Sequence, residues 1–170
     1  IIKIKEKIMK IIYYGNPVLR EVSKEVTEIT DEIRQILDEM VETMREESGV
    51  GLAANQVGLT QRFFVAEVDG NVKKIINPEI IEFGKEEIEL EEGCLSIPGI
   101  YKRVKRPEKI KVRYQNEKGE TVEEELNEVW ARVFQHELDH LDGILFIDKI
   151  SPLNKRLISK RLAQIKKEGN

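Results

Sequence analysis

The stretch that most restricts how this chain can fold is residues 127–143, NEVWARVFQHELDHLDG. Wound as a helix, Val129, Trp130, Ala131, Val133, Phe134, Leu138 and Leu141 cover most of its circumference, with Asn127 placed to cap its start. A helix this apolar has to be enclosed on more than one side. Yet it carries His136, Glu137 and His140, and the 170-residue chain has no other histidine. Residues four apart share a helix face, so both imidazoles point the same way into an apolar interior. Burying them beside a carboxylate is costly unless a partner such as a metal ion compensates.

The flanking sequence supplies material to enclose that helix. Thr30 is an N-cap for a helix whose apolar stripe is Ile33, Ile36, Leu37, Met40, Val41 and Met44, and Gly49 is its expected stop. Met40 and Met44 lie on the stripe and read as core. GNPVLR (15–20) reads as a turn, and GVGLAANQVG (49–58) as a Gly-rich loop from helix to strand. RFFVAEV and VKKIIN read as strands across a DG turn, followed by EIIEF, EIELEE, KIKVRYQ and TVEEEL, with an NEKG turn between the last two. Ser151-Pro152 opens a last helix whose apolar residues are Leu153, Leu157, Ile158, Leu162 and Ile165. Hairpin-like turns favour antiparallel pairing. The expected fold is α+β: antiparallel β-sheets packed around a buried metal-binding helix, with an N-terminal helix and a C-terminal surface helix.

Length and composition narrow the function classes. A chain of 170 residues, 40% apolar and 35% charged, reads as one catalytic domain over 1–170. A formal charge of −4 gives no overall attraction to DNA. No apolar run approaches the roughly 20 residues of a membrane span. IIKIKEKIMK at the start alternates apolar and basic residues and lacks the apolar core of a signal peptide. With the lone cysteine, Cys94, this favours a reducing cytoplasm. The chain opens at Ile1, and Met9 is a candidate initiator, which would make residues 1–8 an extension outside the functional argument.

Two histidines leave a metal site short of a ligand. One metalloprotease pattern extends H-E-x-x-H to a third histidine, but Phe146 stands at that position. Another takes a downstream Glu, and the only one after Glu137 is Glu168, two residues from the end. An aspartate, Asp139, Asp142 or Asp148, is possible, but Asp139 and Asp142 lie off the histidine face or too near in sequence. The most capable remaining donor is Cys94, in EEGCLSIPG. A thiolate and two imidazoles with an open fourth position form a catalytic type of site. The thiolate lowers the metal's Lewis acidity and suits redox-capable ions, Fe(II) included; Zn(II) suits the same donors. Glu137, beside a ligand, is placed to take a proton from metal-bound water and return it to the leaving amine. The Leu95 N–H and the Gln56 amide are candidate donors to the oxyanion. Gly49 and Gly51 would let backbone pass close to a bound peptide.

GVGLAANQ (49–56), EGCLS (92–96) and HELDH (136–140), in this order and spacing, resemble the three signature motifs of bacterial peptide deformylases. GNPVLR and ISPL (150–153) are also similar, and the resemblance spans about residues 9 to 167. H-E-x-x-H is shared with many hydrolases, whereas E-G-C-L-S beside it is far more specific. Asn55 stands at a variable position, and Tyr101 where some members carry an arginine near the substrate. The resemblance implies removal of the formyl group from N-terminal formylmethionine of nascent chains, releasing formate. It implies one divalent ion held by Cys94, His136 and His140, with Fe(II) as the native ion and Zn(II), Ni(II) or Co(II) as others the donors accept. Glu137 would be the acid/base, with Gln56 and Leu95 at the oxyanion. Val50, Ile97, Val129 and Val133 would form the methionine pocket, with Gly93 and Gly51 beside the substrate and a tight wall near Gly51 against acetyl. Around the ligands, Asp139 would orient His136, and Glu92 would pair with Arg106 to brace the cysteine loop. Lys155, Arg156, Lys160, Arg161, Lys166 and Lys167 would form either a solvated face or a ribosome-docking face.

Two other readings remain at this point. A metallopeptidase cutting internal bonds shares the chemistry but needs a downstream ligand missing here. A metal-binding or thiol-sensing domain would use Cys94 but has no need of Glu137.

Overall fold

The structure is a computed structural model and describes residues 8–169. Its centre is a five-stranded antiparallel sheet, in the order β1 (Gly51–Ala53), β2 (Phe63–Val68), β3 (Asn71–Phe83), β6 (Lys109–Gln115) and β7 (Thr121–Asn127). A separate hairpin pairs β4 (Glu87–Cys94) with β5 (Ile97–Pro107). Three α-helices complete the described fold: α1 (Asp31–Glu46), α2 (Glu128–Leu141) and α3 (Pro152–Gly169). The α+β expectation holds.

Strand β2 explains why its sequence, FFVAEV, begins as an unbroken apolar run. Phe63 and Val65 face a core shared with Leu37, Met40, Val41 and Met44 of α1. Phe64 and Ala66 face the opposite core, shared with Ala131, Val133, Phe134 and Leu141 of α2. A strand covered on both faces has no polar side to alternate with. Phe64 meets Phe134 edge-on, ring centroids 5.3 Å apart, which fixes how α2 sits on the sheet.

α1 begins as its sequence indicates, with the Thr30 hydroxyl accepting from the Ile33 N–H at 3.3 Å. Its end differs from expectation. Ser48, not Gly49, takes the left-handed conformation (φ 57°), and its N–H donates to Arg45 O while the Gly49 N–H donates to Met44 O. These are the two bonds of a Schellman turn, so Gly49 lies one residue beyond the stop. At the start of α2, Asn127 occupies the cap position, but its side chain makes no capping bond.

Three other departures matter for the site. VKKIIN and EIIEF are one strand, bent at Asn77-Pro78. Asn77 adopts φ 52°, its side chain bonds Val26 N and Val26 O, and Pro78 sits in the bulge, where no ladder N–H is needed. The Gly-rich loop is partly ordered as β1, followed by a 3-10 turn, Ala54–Val57. IPGIYKRVKRP, given no element from the sequence, is strand β5; its ladder partners step from Lys102 to Ile97 while β4 advances only from Glu92 to Cys94, so residues 98–101 form a bulge. On α3, Ile158 and Ile165 are buried against β5 and the 3-10 turn Phe146–Lys149, whereas Leu153 and Leu157, expected on the same stripe, face solvent.

Candidate active site

α2 lies between the five-stranded sheet and the β4–β5 hairpin, and its histidine face opens on a cleft of about 590 Å³. Cys94 ends β4, and Leu95 and Ser96 turn the chain into β5 at Ile97. That hairpin tip carries the thiol to the histidines. One donor atom from each of Cys94, His136 and His140 lies within 4.8 Å of the others. Cys94 Sγ is 3.3 Å from His140 Nε2, close to the roughly 3.6 Å sulfur–nitrogen edge of a tetrahedral site with ordinary bond lengths. The donor set and its spacing fit a single divalent ion. No other group of three His, Cys, Asp or Glu donors with such spacing occurs among the described residues.

The carboxylate that orients His136 is Glu92, with Oε1 2.8 Å from His136 Nδ1. The expected partner, Asp139, instead accepts from Arg106 Nη1 at 2.7 Å. It follows His136 by three residues on the same helix and is turned toward the hairpin side, where the guanidinium takes it. The Glu92–Arg106 pair is present and bidentate, at 2.6 and 2.9 Å, and both residues are buried. Burial would raise the Glu92 carboxyl, but the His136 and Arg106 bonds together hold it far below the usual range. A second arginine, Arg132, donates to Glu92 Oε2 at 2.7 Å and was not anticipated. Its signal in the sequence is the single basic charge in the apolar run VWARVFQHEL.

Burial disfavours the His136 cation, yet the Cys94 and Glu92 bonds outweigh it and push its pKa up to about 10. His140 stays neutral: burial, then the charge of His136, lowers it well below the usual imidazole value. Its Nδ1 is buried without a partner, its Nε2 meets Cys94 Sγ, and its main-chain O accepts from Asn55 Nδ2 at 2.6 Å. Phe146, which stands where a third histidine would be, stacks on His136 with centroids 6.0 Å apart.

Glu137 lies 3.9 Å from His136 Nε2 through Oε1, and its Oε2 has no hydrogen-bond partner. Burial pushes its carboxyl up to about 7, the range in which a group can both take and give a proton near neutrality. Gly51 on β1 closes over it: a Cβ there would sit 2.7 Å from Glu137 Oε1. Gln56 is clamped by accepting from Ala53 N at 2.9 Å, which aims its amide Nε2 at Cys94 Sγ (3.4 Å) and Ser96 Oγ (3.1 Å). Ser96 and Asn55 were not singled out for these contacts.

Val50, Gly51, Gly93, Val129 and Val133 line the cleft, together with Leu90, Leu95 and Tyr101. Ile97 is a correction. It is fully buried, clustered with Ile100, Val104 and Phe146, and does not line the cleft. The reversal at Leu95-Ser96 turns its side chain inward. Gly93 leaves room for the Tyr101 ring, because a Cβ there would sit 2.5 Å from Cε1.

A buried carboxylate poised near neutrality beside a thiol and two imidazoles, at the floor of an apolar cleft, defines a class: a metal-dependent hydrolase. The profile of the polypeptide deformylase family matches residues 8–156. The peptide deformylase of Fusobacterium nucleatum is 57% identical over 165 residues, covering 95% of this chain and 94% of that protein. The solved structure of peptide deformylase from Thermotoga maritima superposes with a TM-score of 0.84 at 51% identity, covering 86% of this chain and 99% of that one. The enzyme from Thermus thermophilus superposes with a TM-score of 0.90 at 42% identity, covering 95% and 99%. The chain belongs to the peptide deformylase family.

Proposed function

We propose that this chain, acting as one catalytic unit, removes the formyl group from formylmethionine at the start of nascent polypeptides, with Cys94, His136 and His140 holding one divalent ion. The observation that carries the reading is the convergence of those three donors beside Glu137, whose buried Oε2 has no hydrogen-bond partner. When bound, the ion, Fe(II) natively or Zn(II), Ni(II) or Co(II) in its place, would supply Lewis acidity toward water and the formyl carbonyl.

The other steps belong to the protein. Glu137 takes the proton of the attacking water and delivers it to the leaving nitrogen, so that water and the formyl amide become formate and a free amine. Gln56 Nε2 and the Leu95 N–H stabilise the oxyanion, and the Ala53–Gln56 clamp pre-orients the first donor. Val50, Val129 and Val133, with Leu90, receive the methionine side chain. Gly51 and Glu137 form the tight wall against an acetyl methyl, worth about 1–3 kcal/mol of discrimination.

A substrate carried on nascent chains supports a cytoplasmic location for the enzyme. Lys155, Arg156, Lys160, Arg161, Lys166 and Lys167 are all exposed on α3 beside Leu153 and Leu157, which supports docking of that helix to the ribosome. Equal pelleting of full-length protein and a truncation after Asn154 with ribosomes would sink the docking role.

Anaerobic purification with elemental analysis, followed by formate release from formyl-Met-Ala-Ser, tests the main reading. Glu137→Ala should keep its metal and lose turnover, and Cys94→Ala should lose its metal. Cleavage of internal bonds with none of formyl-Met, or full occupancy in Cys94→Ala, overturns it.

A further inference from the structure

The three donors come from two halves of the fold. Cys94 sits at the tip of a hairpin whose strands pair only with each other, and the histidines ride on α2, packed against the five-stranded sheet. A site drawn from both halves is only as ordered as the joint between them. Arg132, one turn before His136 on α2, spans that joint. Its Nη1 donates to Glu92 Oε2 at 2.7 Å and to Val104 O at 2.8 Å, and its Nη2 donates to Ile88 O at 2.9 Å. One guanidinium thus bonds both strands of the hairpin and the carboxylate whose other oxygen accepts from His136. Its side chain is only 10% exposed.

Charge balance alone does not call for this residue, because Arg106 already grips Glu92 with two bonds. Nor is a buried ion pair a reliable source of stability, since a well-packed apolar side chain often serves as well. What an apolar side chain cannot supply is fixed, directional bonds to three acceptors on two strands, which the planar fork of arginine does.

We propose that Arg132 is a positioning residue of the metal centre: it sets the Cys94 hairpin against the histidine helix and holds Glu92 where it orients His136. The proposal rests on the reading of Cys94, His136 and His140 as ligands.

The test compares wild type, Arg132→Met and Arg132→Lys, each stripped of metal and loaded anaerobically with Co(II). Co(II) affinity is measured by chelator competition, the thiolate-to-Co(II) charge-transfer band by absorption, and the melting temperature on the metal-free protein. Arg132→Met should weaken Co(II) binding about 10- to 100-fold and alter the band, as losses around ligating histidines do. Arg132→Lys, which keeps the charge without the fork, should lie between. An affinity within about twofold of wild type and an unchanged band, even with a lowered melting temperature, assign Arg132 a merely structural role and overturn the proposal. If Arg132→Met does not fold, Arg132→Lys decides alone by the same criterion. A wild-type Co(II) protein with no thiolate band defeats the ligand reading itself, a different failure from unchanged variants.

Discussion

Substituting Gly51 by alanine adds one methyl group above the carboxylate assigned to proton transfer. The new Cβ would sit 2.7 Å from Glu137 Oε1 and 2.9 Å from both Cδ and Cγ, whereas ordinary contact begins at 3.4 Å. Relieving those contacts moves the carboxylate by about 0.5–0.7 Å, the difference between 3.4 Å and these distances. Glu137 is 4% exposed and enclosed by packed elements, so it can only move within the site. A misplacement near 1 Å costs on the order of 100-fold in rate, so kcat should fall about 10- to 100-fold, or about 1.4–2.7 kcal/mol. Overpacking of about 1–3 kcal/mol is partly offset by the entropy lost with glycine, roughly 0.5–1 kcal/mol, so the fold should survive. Gly49→Ala is the comparison: its Cβ meets the tip of Leu95, Cδ1 at 2.8 Å, a side chain that can turn aside into the cleft, so its effect should fall on KM rather than kcat. Formate release from formyl-Met-Ala-Ser gives kcat and KM for both variants. If Gly51→Ala keeps kcat within twofold of wild type, or if Gly49→Ala loses as much, Glu137 is not held where the chemistry requires.

Ile97→Ala should cost about 2–5 kcal/mol in urea unfolding while leaving KM for formyl-Met peptides unchanged, because Ile97 is core; a raised KM would return it to the pocket. Asp148 is pushed up by burial but brought lower than usual by the Arg20 fork and the Leu145 N–H. Its contribution is therefore full above the unfolded carboxylate value, about 3.9, and lost as pH falls through the folded one. With the pair 45% and 37% exposed, that contribution is at most about 1 kcal/mol. Asp148→Asn should be slightly less stable at neutral pH and converge with wild type in acid; parallel stability–pH curves contradict the assignment. Chelating the metal should lower the melting temperature, and Co(II) at about 100 times its Kd should restore about 2.7 kcal/mol. Coincident melts with and without metal would remove the ion from the folded site.

The metal-ligand candidates were legible in the sequence because donor chemistry is scarce in it: two histidines, one thiol and no usable downstream carboxylate. The structure then brings those three residues together. α1 and α2 were legible for a different reason, since a helix writes its buried stripe at a fixed local period. Strand β5 was missed because Pro98 and Gly99 open it and its bulge breaks the alternation. Merging β3 across Asn77-Pro78 required knowing that Val26 sits opposite to satisfy the asparagine.

What the sequence determined by itself is the set of chemical groups and the faces of the helices that carry them, because both follow from composition and local spacing. What only the tertiary structure decided is which charges meet. Glu92 rather than Asp139 orients His136, Arg132 joins Glu92 across forty residues, and Ile97 turns into the core while Val133 faces the cleft. Those pairings depend on strand register and on the reversal at Leu95-Ser96, which place atoms to within an ångström. Residue type and spacing along the chain carry no such distance.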